Sequence, residues 1–134
     1  MRLLHLFVAL VALLGFGVGP PAGAGTTRSN DQIILVYLKL SDDKFGASGE
    51  TSKLYDVEDS LEAALAGTGD LDGHEVGGGY FTIYIYGPDA RAVLKAIAST
   101  LKNPLVRQGS YVQFGPEDRP EKRQKMRLPL PATF

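Results

Sequence analysis

Four side chains that could bind a metal ion or transfer a proton lie close together in the segment 70–75: Asp70, Asp72, His74 and Glu75. Carboxylates two residues apart in a glycine-containing loop can bind a hard cation such as Ca²⁺. Together with a histidine they form a donor set that Zn²⁺ also accepts. The segment therefore raises the hypothesis of a metal-dependent or histidine-dependent hydrolytic enzyme.

The spacing of these side chains does not favour a cation site. The calcium-loop pattern needs a third oxygen ligand before its glycine and a bidentate glutamate further along, and neither falls in place around Asp70 and Asp72. His74 and Glu75 are adjacent, so they point to opposite faces of any strand that contains them. We expect a solvated acidic loop leading into a hairpin, with no metal and no cofactor.

Other kinds of catalytic or phosphate-binding site have equally little support. The chain has no cysteine, which excludes thiolate nucleophiles and disulfides. His74 is the only histidine after residue 24, and the chain contains no Gly-x-Ser-x-Gly nucleophile elbow. The glycines of the segment 67–73 follow a predicted helix, so no helix N-terminus faces them to bind phosphate. The sequence favours a protein that is not an enzyme.

The first 24 residues are predicted to be a secretory signal peptide. Arg2 precedes an uncharged apolar run from Leu3 to Val18, and residues 22–24 form a small-x-small cleavage site. The run is shorter than the ~20 residues of a membrane-spanning helix, so the membrane is a partner only if this segment stays uncleaved. We expect an exported protein, periplasmic or extracellular, with a flexible leader at residues 25–30.

The rest of the chain divides into an acidic body and a basic tail. Residues 31–115 carry seven Lys and Arg against twelve Asp and Glu, whereas residues 116–134 carry five against three. Nucleic acid is not an expected partner, because an acidic body repels phosphate backbones. The tail holds four prolines among its charges, a composition that predicts a disordered segment.

The apolar pattern of residues 31–115 predicts a single α+β domain. Strands are predicted at 31–40, 74–76, 80–86 and 110–114, and helices at 51–67 and from Pro88 to Asn103. The resulting βαββαβ order is that of the ferredoxin-like, or split βαβ, arrangement. In that arrangement a four-stranded antiparallel sheet carries both helices on one face.

Strand alternation then gathers tyrosines on the other side of this sheet. In the strand 80–86, Phe81, Ile83 and Ile85 share the more apolar face, which must lie under the helices. We define the tyrosine face as the opposite side of the sheet; its five tyrosines are Tyr37, Tyr80, Tyr84, Tyr86 and Tyr111.

A patch of this kind exposes on the order of several hundred Å² of aromatic surface, which is large for a monomer. We therefore expect something to cover it: a second copy in a homodimer, another protein, a ligand or the C-terminal tail. The protein is accordingly interpreted as a small binding or interaction module of unknown partner. The alternative is that tyrosine, half apolar and suited to strands, simply faces solvent there.

Three segments resemble a group of small, uncharacterised bacterial proteins: LKLSDDKFG at 38–46, DGHEVGGG at 72–79 and YGPDA at 86–90. The resemblance covers residues 35–101, about half of the chain. It implies the α+β fold, and it implies no particular activity, because the group has none assigned.

The predicted signal peptide can be tested directly. When the protein is expressed with its own N-terminus in a secreting host, we expect mass spectrometry to find exported chains that begin at Gly25. Replacing Ala24 with arginine should block this cleavage, because the processing site requires a small residue there. Exported chains that retain Met1 would contradict the prediction.

Overall fold

The computed structural model describes residues 31–134, and in this part of the chain two α-helices pack on a five-stranded antiparallel sheet of the α+β class. The elements are β1 (Gln32–Lys39), α1 (Glu50–Leu65), β2 (Asp70–Gly77), β3 (Tyr80–Gly87), α2 (Ala90–Ile97), β4 (Tyr111–Pro116) and β5 (Gln124–Arg127). The predicted signal peptide (1–24) and leader (25–30) lie outside the described residues. Within those residues, neither helix has the length and apolar character needed to cross a membrane.

The strands lie in the spatial order β2-β3-β1-β4-β5, and each neighbouring pair is antiparallel. β1 is therefore the central strand, hydrogen-bonded to β3 on one side and to β4 on the other. Its central position explains its composition. Ile33 and Leu35 are buried on one face and Ile34 and Val36 on the other, so the strand reads as a continuous apolar run.

Helix α1 buries the apolar stripe that its sequence predicts. Leu54, Val57, Leu61 and Leu65 are the buried residues of the helix, at spacings of three and four. Its N-terminus is not capped by a hydroxyl of the first turn. Instead the carboxylate of Glu50 accepts hydrogen bonds from the Ala47 and Ser41 amides, at 2.8 and 2.9 Å.

Helix α2 is fixed at its start by an aspartate and a glycine. Asp89 is the N-cap, and its carboxylate accepts from the backbone amides of Arg91 at 3.0 Å and Ala92 at 3.3 Å. The preceding Gly87 lies so close to the turn after α1 that a Cβ there would stand 2.8 Å from the carbonyl oxygen of Thr68. Glycine is required because backbone meets backbone at this point.

The hydrophobic core lies between the two helices and one face of the sheet. Its strand side chains come from alternate positions of β1, β3 and β4, and the residues with less than 1 % exposure include Ile34, Val36, Leu38, Phe81, Ile83, Ile85 and Val112. Phe81, Ile83 and Ile85 thus lie under the helices, as their alternation predicts. Both helices pack against this face.

The strand β2 is longer than its sequence predicts. The sequence predicts a strand here only at residues 74–76, yet Asp70 pairs with Tyr86 and Leu71 with Ile85. The register shifts between Leu71 and Gly73, so the aspartate between them forms a bulge. β3 offers a full edge for pairing, and this tertiary interaction overrides the weak strand preference of Asp and Gly.

The C-terminal tail corrects both the strand count and the prediction of disorder. Gln124–Arg127 pairs with β4 as a fifth strand, so the sheet has five strands instead of four. Met126 packs against the core cluster, as do Leu128, Leu130 and Phe134 further along. The prediction of disorder used the average composition of the tail. It therefore overlooked this short proline-free stretch, in which the apolar Met126 lies between Lys125 and Arg127.

The core can be tested with two matched phenylalanine substitutions. Phe81→Ala removes a ring with 0 % exposure, and we expect it to lower the free energy of unfolding by about 3–5 kcal/mol. Phe45→Ala removes a ring that is 68 % exposed, and its effect should stay within about 0.5 kcal/mol. Urea denaturation followed by circular dichroism measures both. Equal losses in the two variants would contradict this description of the core.

Candidate binding face

The register of the sheet places the predicted tyrosines side by side on the face opposite the helices. Tyr37 on β1 lies opposite Thr82 on β3 and Tyr111 on β4. One step along the strands, Leu35 lies opposite Tyr84 and Gln113. Since side chains directly opposite each other share a face, the five tyrosines named from the sequence do lie on one side of the sheet.

Three of these rings form a compact cluster. Tyr37 and Tyr111 are stacked, with centroids 4.5 Å apart and planes 15° from parallel. Tyr80 meets both of them edge-on, at 5.8 Å from Tyr37 and 5.5 Å from Tyr111. Such pairs contribute about 0.5–1.5 kcal/mol each beyond the area they bury, so the rings hold one another in place while each remains partly exposed.

The other two tyrosines, Tyr84 and Tyr86, pack against aliphatic side chains of β1. Ile33 and Leu35 are each 5 % exposed and form a second cluster with Tyr84 and Tyr86 on this side of the sheet. Tyr86 itself is only 6 % exposed, so it is part of this buried cluster and adds little to the accessible surface. Tyr84 is half-buried and keeps part of its ring accessible. The accessible part of the tyrosine face is therefore Tyr37, Tyr80, Tyr84 and Tyr111.

An acidic side chain on the β2 edge is held on this face by a tyrosine. The hydroxyl of Tyr84 donates to Oε1 of Glu75 at 2.6 Å. This hydrogen bond, with a smaller contribution from burial, raises the pKa of Tyr84 from 10.0 to about 12. Burial also raises the pKa of Tyr37 and of Tyr111. All three phenols are therefore neutral hydrogen-bonding groups at physiological pH.

Basic side chains also lie on this face, and two of them are at the edge opposite Glu75. Nζ of Lys125, on β5, stands 4.0 Å from the centroid of the Tyr111 ring, and Nζ of Lys39 stands 5.3 Å from that of Tyr80. Both contacts are cation–π interactions. Arg127 pairs in register with Tyr111 and is exposed. The β4–β5 end of the face is thus positively charged, with Lys125 and Arg127 supplied by the tail.

The sequence identifies the tail as basic, but it does not place Lys125 and Arg127 on the tyrosine face, because the tail is predicted to be disordered. The one signal that could have found them is the alternation of Lys125, Met126 and Arg127, which is that of a strand with one buried face. Once the apolar Met126 faces the core, its two basic neighbours must face the tyrosines.

The candidate metal ligands do not converge. His74 points toward the helices, where Nδ1 lies 2.6 Å from Oε2 of Glu58 on α1 and the imidazole stacks on Phe81 with centroids 4.4 Å apart. Glu75 points to the tyrosine face, as adjacency in a strand requires. Within residues 31–134, no group of three or more His, Asp or Glu side chains is arranged to hold a metal ion. Asp72 lies in the bulge at the start of β2, and Asp70 precedes the bulge, paired with Tyr86.

The pair of Tyr84 and Glu75 predicts a measurable titration. The raised pKa means that the hydrogen bond stabilises the folded protein fully below pH 10, and that this contribution is lost as the pH rises from 10 toward 12. In Glu75→Ala we expect one tyrosine to ionise nearer pH 10, seen in the ultraviolet absorbance of tyrosinate. Glu62→Ala, which alters an exposed carboxylate on α1, should leave the titration unchanged. Identical curves for the wild type and Glu75→Ala would refute the pairing.

No protein-family model, curated protein or solved structure matches this chain. The resemblance of residues 35–101 to a group of small bacterial proteins therefore stays a prediction. The function proposed below is therefore inferred from the geometry of the tyrosine face.

Proposed function

We propose that the protein is an exported interaction module that binds another protein molecule through its tyrosine face. The observation that carries the proposal is the cluster of Tyr37, Tyr80 and Tyr111, with Tyr84 beside it, partly exposed on the side of the sheet opposite both helices. Tyrosine is enriched at protein interfaces because it offers a large apolar ring and a hydroxyl on a side chain with few rotatable bonds.

The cluster is organised before any partner arrives. Stacking of Tyr37 on Tyr111 and edge contacts from Tyr80 restrict the rings in the free protein. Ordering a side chain on binding costs about 0.5–1.5 kcal/mol, so rings that are already fixed leave more of the contact energy for affinity. This arrangement supports a binding surface in preference to a merely solvated strand.

The charges around the rings support a protein partner over nucleic acid. Glu75 lies at one edge of the face, Lys125 and Arg127 lie at the other, and Lys39 lies on the central strand beside Tyr80. A phosphate backbone would be repelled by the glutamate and by the acidic body of residues 31–115. A protein surface carries charges of both signs and can match both edges.

Two further parts of the proposal concern export and fold family. The predicted signal peptide supports export, with cleavage after Ala24. We also assign the first four strands and both helices to the ferredoxin-like arrangement, with β5 as an addition at one edge. The spatial order β2-β3-β1-β4 supports this assignment.

The alternative, a hydrolytic enzyme centred on the segment 70–75, gains no support from the geometry. His74 pairs with Glu58 on the helix side of the sheet, whereas Glu75 lies on the tyrosine face. A histidine that acts as a general base must reach both its substrate and its positioning group. Here the imidazole is stacked on Phe81 and also contacts the tilted ring of Tyr55, and its role is to connect α1 with β2.

The proposal predicts that the tyrosine face is protected in the protein's own surroundings. In hydroxyl-radical footprinting read by mass spectrometry, Tyr37, Tyr84 and Tyr111 should be oxidised more slowly in the exported fraction of the producing cells than in dilute purified protein. Tyr55, a 45 % exposed ring on α1, should react equally in both samples and serves as the internal control.

A pair of variants identifies the surface. Tyr84→Ser should abolish the protection of Tyr111, because it removes a ring from the proposed interface. Tyr55→Ser changes a tyrosine on the helix side and should leave that protection intact. Equal oxidation of the face tyrosines in the exported fraction and in dilute protein would overturn the proposed function.

A further inference from the structure

The two edges of the tyrosine face carry opposite charges. Asp70 and Glu75 project from β2, whereas Arg123, Lys125 and Arg127 belong to β5 and the residue before it. Glu75, Lys125 and Arg127 are exposed. Within residues 31–134, neither Lys125 nor Arg127 forms an ion pair with a carboxylate. The face thus has an acidic edge and a basic edge with aromatic rings between them.

One row of the register crosses the whole face from acid to base. Reading from β2 to β5, the paired positions are Glu75, Thr82, Tyr37, Tyr111 and Arg127. Tyr37, on the central strand, lies two strands from either end. With neighbouring strands about 4.8 Å apart, each charge stands about 10 Å from Tyr37 and about 19 Å from the other. Glu75 and Arg127 are too far apart to pair within one chain.

We propose that the partner is a second copy of this chain, an inference that rests on the proposed function. The two copies pack face to face about a two-fold axis that runs parallel to β1 and passes over Tyr37. Rotation about that axis exchanges the two edges of the sheet. The acidic β2 of each copy then lies over the basic β5 of the other, and Tyr37 faces Tyr37. The interface is isologous, so each Glu75–Arg127 contact occurs twice.

The charges select this axis over the other way of stacking two identical sheets. A two-fold axis perpendicular to the strands would place β2 over β2 and β5 over β5. Glu75 would then face Glu75, and the cations of β5 would face one another, which opposes association. Packed sheets lie about 10 Å apart, a gap that a glutamate and an arginine reaching toward each other can span.

The size of the face suits a dimer. The five strands hold 34 residues in all, and with strands about 4.8 Å apart and a rise of about 3.3 Å per residue they outline a surface of roughly 540 Å² before side-chain relief. A standard protein interface buries about 800 Å² per partner, so a second sheet of the same outline is of the right size. The aromatic centre and charged edges also follow the usual division of interfaces into an apolar core and a polar rim.

A depression at the basic edge is suited to the incoming carboxylate. It has a volume of about 390 Å³, and its lining includes Tyr80, Ser110, Tyr111, Lys125 and Arg127. Two cations and two phenol-bearing rings form a surface that attracts a carboxylate. Glu75 of the second copy, held on its own face by the hydroxyl of Tyr84, arrives at this edge in the proposed arrangement.

The C-terminal tail, another candidate to cover the face, packs elsewhere. Leu128, Leu130 and Phe134, which follow β5, pack against the core cluster on the helix side of the sheet. Residues 124–127 add to the width of the tyrosine face without lying over it. The C-terminal segment therefore enlarges the surface that a second copy would contact.

Light scattering after size exclusion, over a range of concentrations of the exported protein, measures the association. We expect the wild type to form dimers. Glu75→Arg should weaken dimerisation on the order of tenfold or more, because both symmetry-related contacts become repulsive. Adding Arg127→Glu to it should restore dimerisation, since the charges again match between copies. Glu62→Arg, the same change on an exposed position of α1, should have no effect.

Each result decides the inference. Restoration in the double variant supports contact between copies, because the two positions cannot meet within one chain. A wild type that is monomeric at every concentration overturns it, as does a dimer unaffected by Glu75→Arg, or a double variant that stays as weak as the single one. Circular dichroism and urea denaturation of every variant exclude misfolding as the cause of a lost dimer.

The same data distinguish the further inference from the proposed function. A monomeric wild type whose face tyrosines are still protected in the exported fraction would assign the face to a different protein and leave the interaction module in place. A monomeric wild type without that protection would overturn both.

Discussion

The structure depends on how the two faces of this small sheet are covered, because both helices pack on the same face. Because strand side chains alternate between faces, every residue that fills the helix-covered core commits its neighbours to the other side. Phe81, Ile83 and Ile85 are completely buried, so Thr82 and Tyr84 between them must lie on the uncovered face. Tyrosine suits that position, since its ring can shield Ile33 and Leu35 while its hydroxyl stays near water.

The chain has no disulfides, and polar side chains near the ends of its helices and strands connect these elements by hydrogen bonds. Glu50 accepts hydrogen bonds from Ser41 and Ala47, and so it joins the end of β1 to the start of α1. Burial of the carboxylate opposes its ionisation, but the hydrogen bond from the Ser41 hydroxyl has the larger effect and lowers the pKa of Glu50. His74 and Glu58 similarly connect β2 with α1. Residue types that carry chemistry in enzymes are used here to hold elements together.

Sequence patterns were sufficient to predict the buried side of an element wherever its apolar residues lie on one face. The stripe of α1 and the alternation of β3 could be read directly, and the position of the tyrosines followed from them. The extension of β2 back to Asp70 could not be predicted, because it depends on pairing with β3 and not on the preferences of Asp and Gly. β5 was missed for a related reason: four residues of a charged, proline-rich tail become a strand only because β4 offers them an edge. The separation of charge across the tyrosine face therefore could not be predicted either.

The two outermost strands have a consequence for how this fold can associate. An exposed strand edge is a template for further strands and hence for fibrous aggregation. β5 is only four residues long, carries lysine and arginine, and lies between Pro120 and Pro129, which lack the amide hydrogen that a growing ladder needs. At the opposite edge the bulge between Leu71 and Gly73 interrupts regular pairing. Open-ended polymerisation through the backbone is thus discouraged at both rims, which leaves contacts made by side chains as the permitted route to assembly.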